Sequence, residues 1–485
     1  MKKGSVTIFS LLSMMLVASA LFALLEAGRF QGMKRLTALQ TQTALESVFA
    51  EYNTVLWEEY RLLACKQSNI NWRIEENVDD RLIEDGFAVN FYQFRVEEIE
   101  QQGYTRLTDG TGSAYIQAAA GYMEKNLSYE MAKKIYNQYE GIKDIKENSD
   151  FSFSDIEDAL KRIKEEASKE STGSIQNQHD GEKSITTAKK KENPLELIQN
   201  LQKKGVLSLV IKDTSGLSEK EIDISNTVSK RKLPEAYNPT QGEADWYTKV
   251  LFQQYLLTYL SNYTEQKEHA LNYELEYLLG GKETDTANMK AVVNQLLALR
   301  EAANFLYLSG NPQKVEEARL LAVAIAGASL NPMVIYAVKT AVLAAWAFAE
   351  SVLDLRTLLT GGKIALLKSN ATWTLDVDYI SSIGKGYTKA KNCSNGLGYK
   401  DYVGILLLFQ AEEQLAMRAM DVQEQTLRNR YEDEEIYLED WILDVSVQVT
   451  YAYKPVFFSI QRILPSWRYK VVVQKWFGYD SSSFW

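Results

Sequence analysis

Residues 5–25 read SVTIFSLLSMMLVASALFALL, 21 residues without a charge. As a helix this run rises about 31 Å, close to the hydrocarbon thickness of a bilayer. Met1-Lys2-Lys3-Gly4 precedes it, and Glu26, Gly28 and Arg29 close it. The pattern predicts a single transmembrane helix over 5–25 behind a cytoplasmic tail at 1–4; the competing reading is a buried helix of a soluble domain. Ala18-Ser19-Ala20 fits a signal-peptidase site, yet Leu21-Phe22-Ala23-Leu24-Leu25 continues the apolar run past it, so a retained signal anchor is expected. Lys2 and Lys3 lie before the run and Arg29, Lys34 and Arg35 after it, so charge counting alone leaves the orientation nearly balanced.

Beyond the run, residues 26–65 read as one continuous helical stalk. Leu45, Val48, Phe49, Tyr52, Val55 and Leu56 recur at spacings of three and four and form its packing face. That stripe suits either a pilin-like stalk packed on neighbours or a helix folded back onto its own body.

The stretch Gly4-Ser5-Val6-Thr7-Ile8-Phe9, the apolar run and Leu25-Glu26-Ala27-Gly28-Arg29 together resemble the N-terminus of TadE-like and TadG-like proteins of bacterial tight-adherence (Tad) pilus systems. In those proteins an acidic residue, one spacer and Gly-Arg close the membrane helix, and a helix with positions like Leu39, Gln42, Ala44 and Leu45 follows. The resemblance covers roughly the first 50 of 485 residues. It implies a cytoplasmic N-terminus, an extracytoplasmic body in the cell membrane's single-pass class, and other pilus or envelope assembly proteins, or further copies through the stalk, as partners. Gly4, Glu26, Gly28 and Arg29 become the expected membrane-interface and assembly residues. Type IV prepilins are cut after a glycine and carry Glu five residues later; here that position is Phe9, a departure from the pattern at Gly4.

The remaining chain has the balance of a globular protein, with 46% hydrophobic and 24% charged residues. Its net charge of −10 disfavours phosphate backbones, so nucleic acid is not an expected partner. Only seven prolines favour long helices. Residues 66–146 read as a small α/β subdomain, with a strand pair between 90 and 107 interrupted at Gly103. Residues 147–193 are rich in Lys, Glu, Ser and Gln and read as a charged linker or mobile loop. Residues 194–485 read as the main helix-rich α+β body. Within it, 205–212 is expected to be a buried strand, 245–279, 289–308 and 401–431 long helices, and 373–379, 441–453 and 468–476 strands. The apolar stretch 320–355 suits a buried helical hairpin better than a membrane hairpin, because Lys339 and Glu350 interrupt it. The fold class is therefore α+β, helix-rich, with scattered antiparallel strands. The early strand near Tyr92 is expected to pair with the late ones.

The search for chemistry gives no catalytic, cofactor-binding or metal assignment. His179 and His269 are far apart and read as surface residues. Gly280-Gly281-Lys282 and Gly361-Gly362-Lys363 follow helices and read as helix ends rather than phosphate loops. Asp376 and Asp378 would share one face of a strand, a pair that serves glycoside hydrolysis or calcium binding only with further groups nearby. Cys65 and Cys393 could form a disulfide if the body is exported. The expected function is a structural or assembly component of a Tad-like pilus, adhesion or envelope secretion system. A tethered ligand-binding or sensing module is the alternative, and a tethered hydrolase a weaker one.

Overall fold

The computed structural model describes residues 2–67, 70–76, 92, 94–147, 205–234, 245–326, 332–384, 386–433, 435–457 and 469–479. The 147–193 segment, His179 and most of the 90–93 stretch lie outside these residues. The fold is α+β and helix-rich, with antiparallel strands. It divides into two compact units, one from residues 1–122, 231–243 and 430–485, the other from 123–230 and 244–429. The division cuts across the serial one at 66–146 and 194–485, because the last strands return to the N-terminal helix.

In the first unit, α1 (Lys2–Phe49) is one uninterrupted helix of 48 residues. From Val6 onward it is long and apolar enough to cross a membrane, and no residue of its most apolar window is buried in the protein. The second half is embedded instead. Met33, Thr37, Thr41, Ala44, Leu45, Val48 and Phe49 are buried at spacings of three and four. They face a sheet whose central strand is β3 (Trp441–Tyr453), flanked by β2 (Phe94–Arg106) on one side and β4 (Tyr469–Gly478) on the other. The two-residue strand β1 (Cys65–Lys66) pairs the start of β3. Val445, Val447, Val449, Tyr451 and Tyr453 alternate toward α1, and Val471 and Val473 join them from β4. Two threonines sit on this stripe without cost, since Thr37 Oγ1 donates to Met33 O and Thr41 Oγ1 meets Tyr451 Oη at 2.8 Å. The expected pairing of the early strand with the late ones is thus formed between β2 and β3.

Two expectations for this unit need correction. The stalk does not run to Cys65: α1 stops at Phe49, and Asn53 Oδ1 accepts from Leu56 N at 2.9 Å, capping a separate α2 (Thr54–Tyr60). The strand pair at 90–107 is one 13-residue strand, with Gly103 beside a register shift rather than in a turn. Following β2, α3 (Ser113–Glu124) begins after a turn in which Gly110, Thr111 and Gly112 all adopt positive φ.

The second unit is built of helices α4 (Tyr129–Glu147), α5 (Trp246–Tyr259), α6 (Glu274–Gly280), α7 (Asp285–Gly310), α8 (Pro312–Ala326), α9 (Pro332–Leu358), α10 (Tyr399–Leu408) and α11 (Glu412–Tyr431). Helix α9 is buried throughout from Ala341 to Leu358, and α7 and α8 pack on it, so the apolar stretch is core from Ala341 onward, while Leu320, Met333 and Tyr336 before it are exposed. The 245–279 and 401–431 helices are each broken in two. In the first, Asn262 Oδ1 accepts from Thr264 N at 3.0 Å and the Glu274 carboxylate from Ser261 N at 2.7 Å, closing a loop. In the second, Glu412 and Glu413 open a new helix at its positive end. The expected strand at 205–212 is a helical turn, Leu207–Val210, since a short apolar run does not fix its own period. At 373–379 the alternation of burial is present without a ladder: the amides of Thr374 and Leu375 donate to the Glu350 carboxylate at 3.0 and 2.8 Å. Gly281 (φ 59°) and Gly361 (φ 82°) terminate helices as read from sequence.

Candidate functional site

Glu26 and Arg29 are three residues apart on α1 and therefore share a face. That face meets the far end of β3. Arg29 Nη1 donates to Glu26 Oε1 at 3.0 Å, and its Nη2 donates to the carbonyls of Tyr92 at 2.6 Å and Lys454 at 3.0 Å. Tyr453, the last residue of β3, donates its hydroxyl to Glu26 Oε1 at 2.5 Å. The amides of Val456 and Phe457 donate to Glu26 Oε2 at 3.3 and 3.1 Å. Arg29 also lies 5.0 Å over the Tyr453 ring, and Phe22 stacks on Phe457 one turn earlier along the helix. Both charged side chains are buried, with 0% and 5% of their side-chain surface exposed for Arg29 and Glu26.

Burial alone raises the Glu26 pKa. The Tyr453 hydroxyl, the Phe457 amide, the Arg29 charge and the Val456 amide together outweigh it, and the carboxyl is held below its ordinary value. It is therefore an ionised, fully coordinated group that clamps α1 to the sheet. Glycine matters one turn further on, where a Cβ at Gly32 would lie 2.5 Å from Tyr92 Oη; at Gly28 nothing lies within 4 Å.

At the opposite end of the embedded half of α1 is a cleft of about 550 Å³. Glu51, Tyr52, Lys66, Arg73, Tyr431 and Trp441 are among its lining residues, so cations, a carboxylate and aromatic faces converge. Arg73 Nε pairs with Glu51 Oε2 at 3.2 Å. Cys65 lies in the same wall, but burial pushes its thiol up to about 12, against the opposing pull of the Tyr479 hydroxyl. A thiol in that state is not a nucleophile at neutral pH.

Residues 184–453, more than half of the chain, match a family profile described as "Family of unknown function (DUF5702)". The chain belongs to the DUF5702 family. No curated protein and no solved structure matches it. The matched region ends at Tyr453, so of the clamp it includes Tyr453, while Glu26, Arg29 and Tyr92 lie before it and Lys454, Val456 and Phe457 after it.

The second unit, which lies mostly within the DUF5702 match, holds a buried charge cluster. Arg300 Nε donates to Asp354 Oδ2 at 3.1 Å and its Nη1 to Tyr402 Oη at 2.9 Å. Lys368 reaches Asp354 Oδ1 at 2.6 Å and also pairs with Glu350. All four charged side chains are at most 1% exposed, so the cluster knits α7, α9 and the 364–375 segment together inside the fold. Elsewhere Glu301 is buried, its Oε1 lacks a hydrogen-bond partner, and burial alone pushes its carboxyl up to about 8.

Of the expected membrane-interface and assembly residues, Glu26 and Arg29 form one site, but an internal one: Glu26's carboxylate is held by Arg29, Tyr453, Val456 and Phe457 of its own chain. Gly28 is exposed beside them, and Gly4 lies in the first turn of α1, where only the backbone is described. Leu45, Val48 and Phe49 face this protein's own sheet, Leu56 is buried in α2, and Tyr52 and Val55 are half-buried. The stripe therefore packs on its own body. Cys65 and Cys393 are both free thiols in this structure, without the expected bond between them. His269 is buried rather than on the surface, with Nδ1 2.8 Å from Glu274 Oε2. Asp376 and Asp378 are exposed at the start of a 3₁₀ turn, not paired on a strand face. Sequence reasoning missed Tyr453, Lys368 and Arg300; each looks locally like an ordinary strand or surface residue, and only its distant partner gives it a role.

Proposed function

We propose that this protein is a membrane-anchored structural or assembly component of a Tad-like pilus, adhesion or envelope secretion system, with a cytoplasmic N-terminus and an extracytoplasmic body. The observation that supports this most directly is the continuity of α1. Its first half is bare and apolar, its second half is the spine of a folded unit, and Glu26 and Arg29 clamp the two at the transition. A tether for an enzyme or a receptor needs no such rigidity; a part that holds or transmits position relative to a membrane does. The face of α1 turned away from the sheet supports contact with neighbours, since Leu39 is 62% exposed and Gly28 has open space at its Cβ. The clamp then sets the angle at which the anchor leaves the body.

Photo-crosslinking residues placed at Gly28 and Leu39 in cells test the reading. Adducts to a second copy or to another envelope assembly protein are expected, and insertion without adducts at either position contradicts it. The cleft bounded by Arg73 and Trp441 supports a second reading, a tethered ligand-binding module. Saturable binding of a glycan or peptide that Trp441→Ala abolishes favours that reading over the first.

A further inference from the structure

The turn that leaves β3 touches α1 on the wrong side of the clamp for a body held clear of a bilayer. Glu26 marks the end of the apolar run, and Phe457 stacks on Phe22, four residues before it, with ring centroids 6.1 Å apart. At the helical rise that places the Phe457 ring about 5 Å inside the end of the run. Val456 beside it is 46% exposed, Lys454 is exposed, and Pro455 between them is buried against the fold.

The sequence around this turn has a matching bias. The chain carries a net charge of −10, yet residues 445–479 contain no Asp or Glu and five basic residues, Lys454, Arg462, Arg468, Lys470 and Lys475, of which Lys470 pairs with Glu97 at 3.0 Å and Lys475 sits opposite Val447, farther along β4 from the turn. A stretch of that composition in an acidic protein suits the phosphate layer of a lipid surface. Aromatic and aliphatic side chains next to it suit the boundary beneath.

We infer that residues 454–457 form a second membrane contact, an interfacial one. Val456 and Phe457 enter the headgroup–acyl boundary beside Phe22, and Lys454 meets the lipid phosphates. The inference rests on α1 being a membrane anchor. It adds that the first unit lies directly on the bilayer, its sheet held by two points rather than one. The Glu26 and Arg29 pair is then shielded from the headgroup layer by the turn that caps it.

The test uses the full chain with Cys393→Ser, leaving the buried Cys65 in place. Single cysteines at Val456, Leu16 and Glu58 are each given a nitroxide label and reconstituted into phosphatidylcholine–phosphatidylglycerol vesicles. Collision rates with oxygen and with a nickel chelate report depth. Val456 is exposed, so the label is tolerated by the fold. At positions 16 and 456 oxygen collisions are expected to exceed chelate collisions several-fold, with the reverse at 58, beyond the far end of α1. A lipid-like label at 16 with a water-like label at 456 overturns the second contact and leaves the anchor standing. Dipolar coupling between labels at 456 on two copies, without lipid exposure, means that a second copy covers the turn and also overturns it. A water-like label at 16 overturns the anchor itself, and the inference with it.

Discussion

Replacing Glu26 by Gln removes one charge from a buried constellation and leaves its shape nearly intact. Arg29, with 0% of its side chain exposed, keeps the carbonyls of Tyr92 and Lys454 as acceptors but loses the carboxylate that balances its charge. Removing one partner of a buried ion pair costs about 3–5 kcal/mol, because the other charge stays buried without compensation. The Tyr453 hydroxyl and the Val456 and Phe457 amides also lose an ionised acceptor, each worth about 1.5–3 kcal/mol in isolation. These terms overlap in one network, and Gln keeps an oxygen, so about 3–4 kcal/mol is the expected total. The assay is urea unfolding of the full chain in detergent micelles, read by pulse proteolysis, with cleavage in β2 and β4 mapped by mass spectrometry. With a slope of about 1–3 kcal/mol per molar urea, the first unit's midpoint falls by at least about 1 M. The double variant Glu26→Leu with Arg29→Met removes both charges and should lose less than the sum of the single losses. A Glu26→Gln midpoint within experimental error of wild type, or strict additivity in the double variant, refutes the clamp.

Gly32→Ala forces a Cβ to within 2.5 Å of Tyr92 Oη and should destabilise the first unit by about 1–2 kcal/mol, whereas Gly28→Ala, with nothing within 4 Å, should stabilise α1 by about 0.5–1 kcal/mol in the same urea assay. Glu301 carries the opposite sign of pH dependence from Glu26. Its folded pKa of about 8 lies above the ordinary carboxylate value of 4.5, so its burial carries no ionisation cost at low pH and an increasing one as pH rises between those values. Glu301→Gln should therefore raise the second unit's stability by up to about 4 kcal/mol at pH 8 and leave it unchanged near pH 4, as read by paired unfolding curves. Glu26, held below the ordinary carboxylate value, contributes stability above that value and loses it as pH falls through its lowered folded pKa. Brief alkylation of the folded protein at pH 8 should modify Cys393 and spare Cys65, and denaturation without reductant should expose two free thiols; one covalently linked pair in that sample contradicts the free state of both.

The parts of the fold legible in the sequence were those with a long, uniform signal. The 5–25 run carries its own length argument, and the late valine-rich strands have period two over ten or more residues. The pairing of β2 with β3 followed from the lack of nearer partners for either. What could not be read is set by distant groups. Thr41 looks like a break in the apolar stripe until Tyr451 supplies a partner. Alternation at 373–379 predicts a strand, but the amides there are taken by Glu350, a residue on α9. Glu26 and Arg29 were visible as a motif because they are close in sequence. Their roles were not, since the groups that hold them, Tyr453 and the 456–457 amides, come more than 400 residues later. An ion pair with an open flank and one closed by its own chain have the same local sequence.

The central claim is that α1 is a retained membrane anchor built rigidly into a body on the outer side. Protease added to intact cells stripped of their wall, followed by mass spectrometry of the protein's N-terminus, tests it most directly. The account predicts digestion of both units from outside, with the apolar helix still attached to residues 26–49. Full protection of the body, or a mature N-terminus at Leu21, contradicts it.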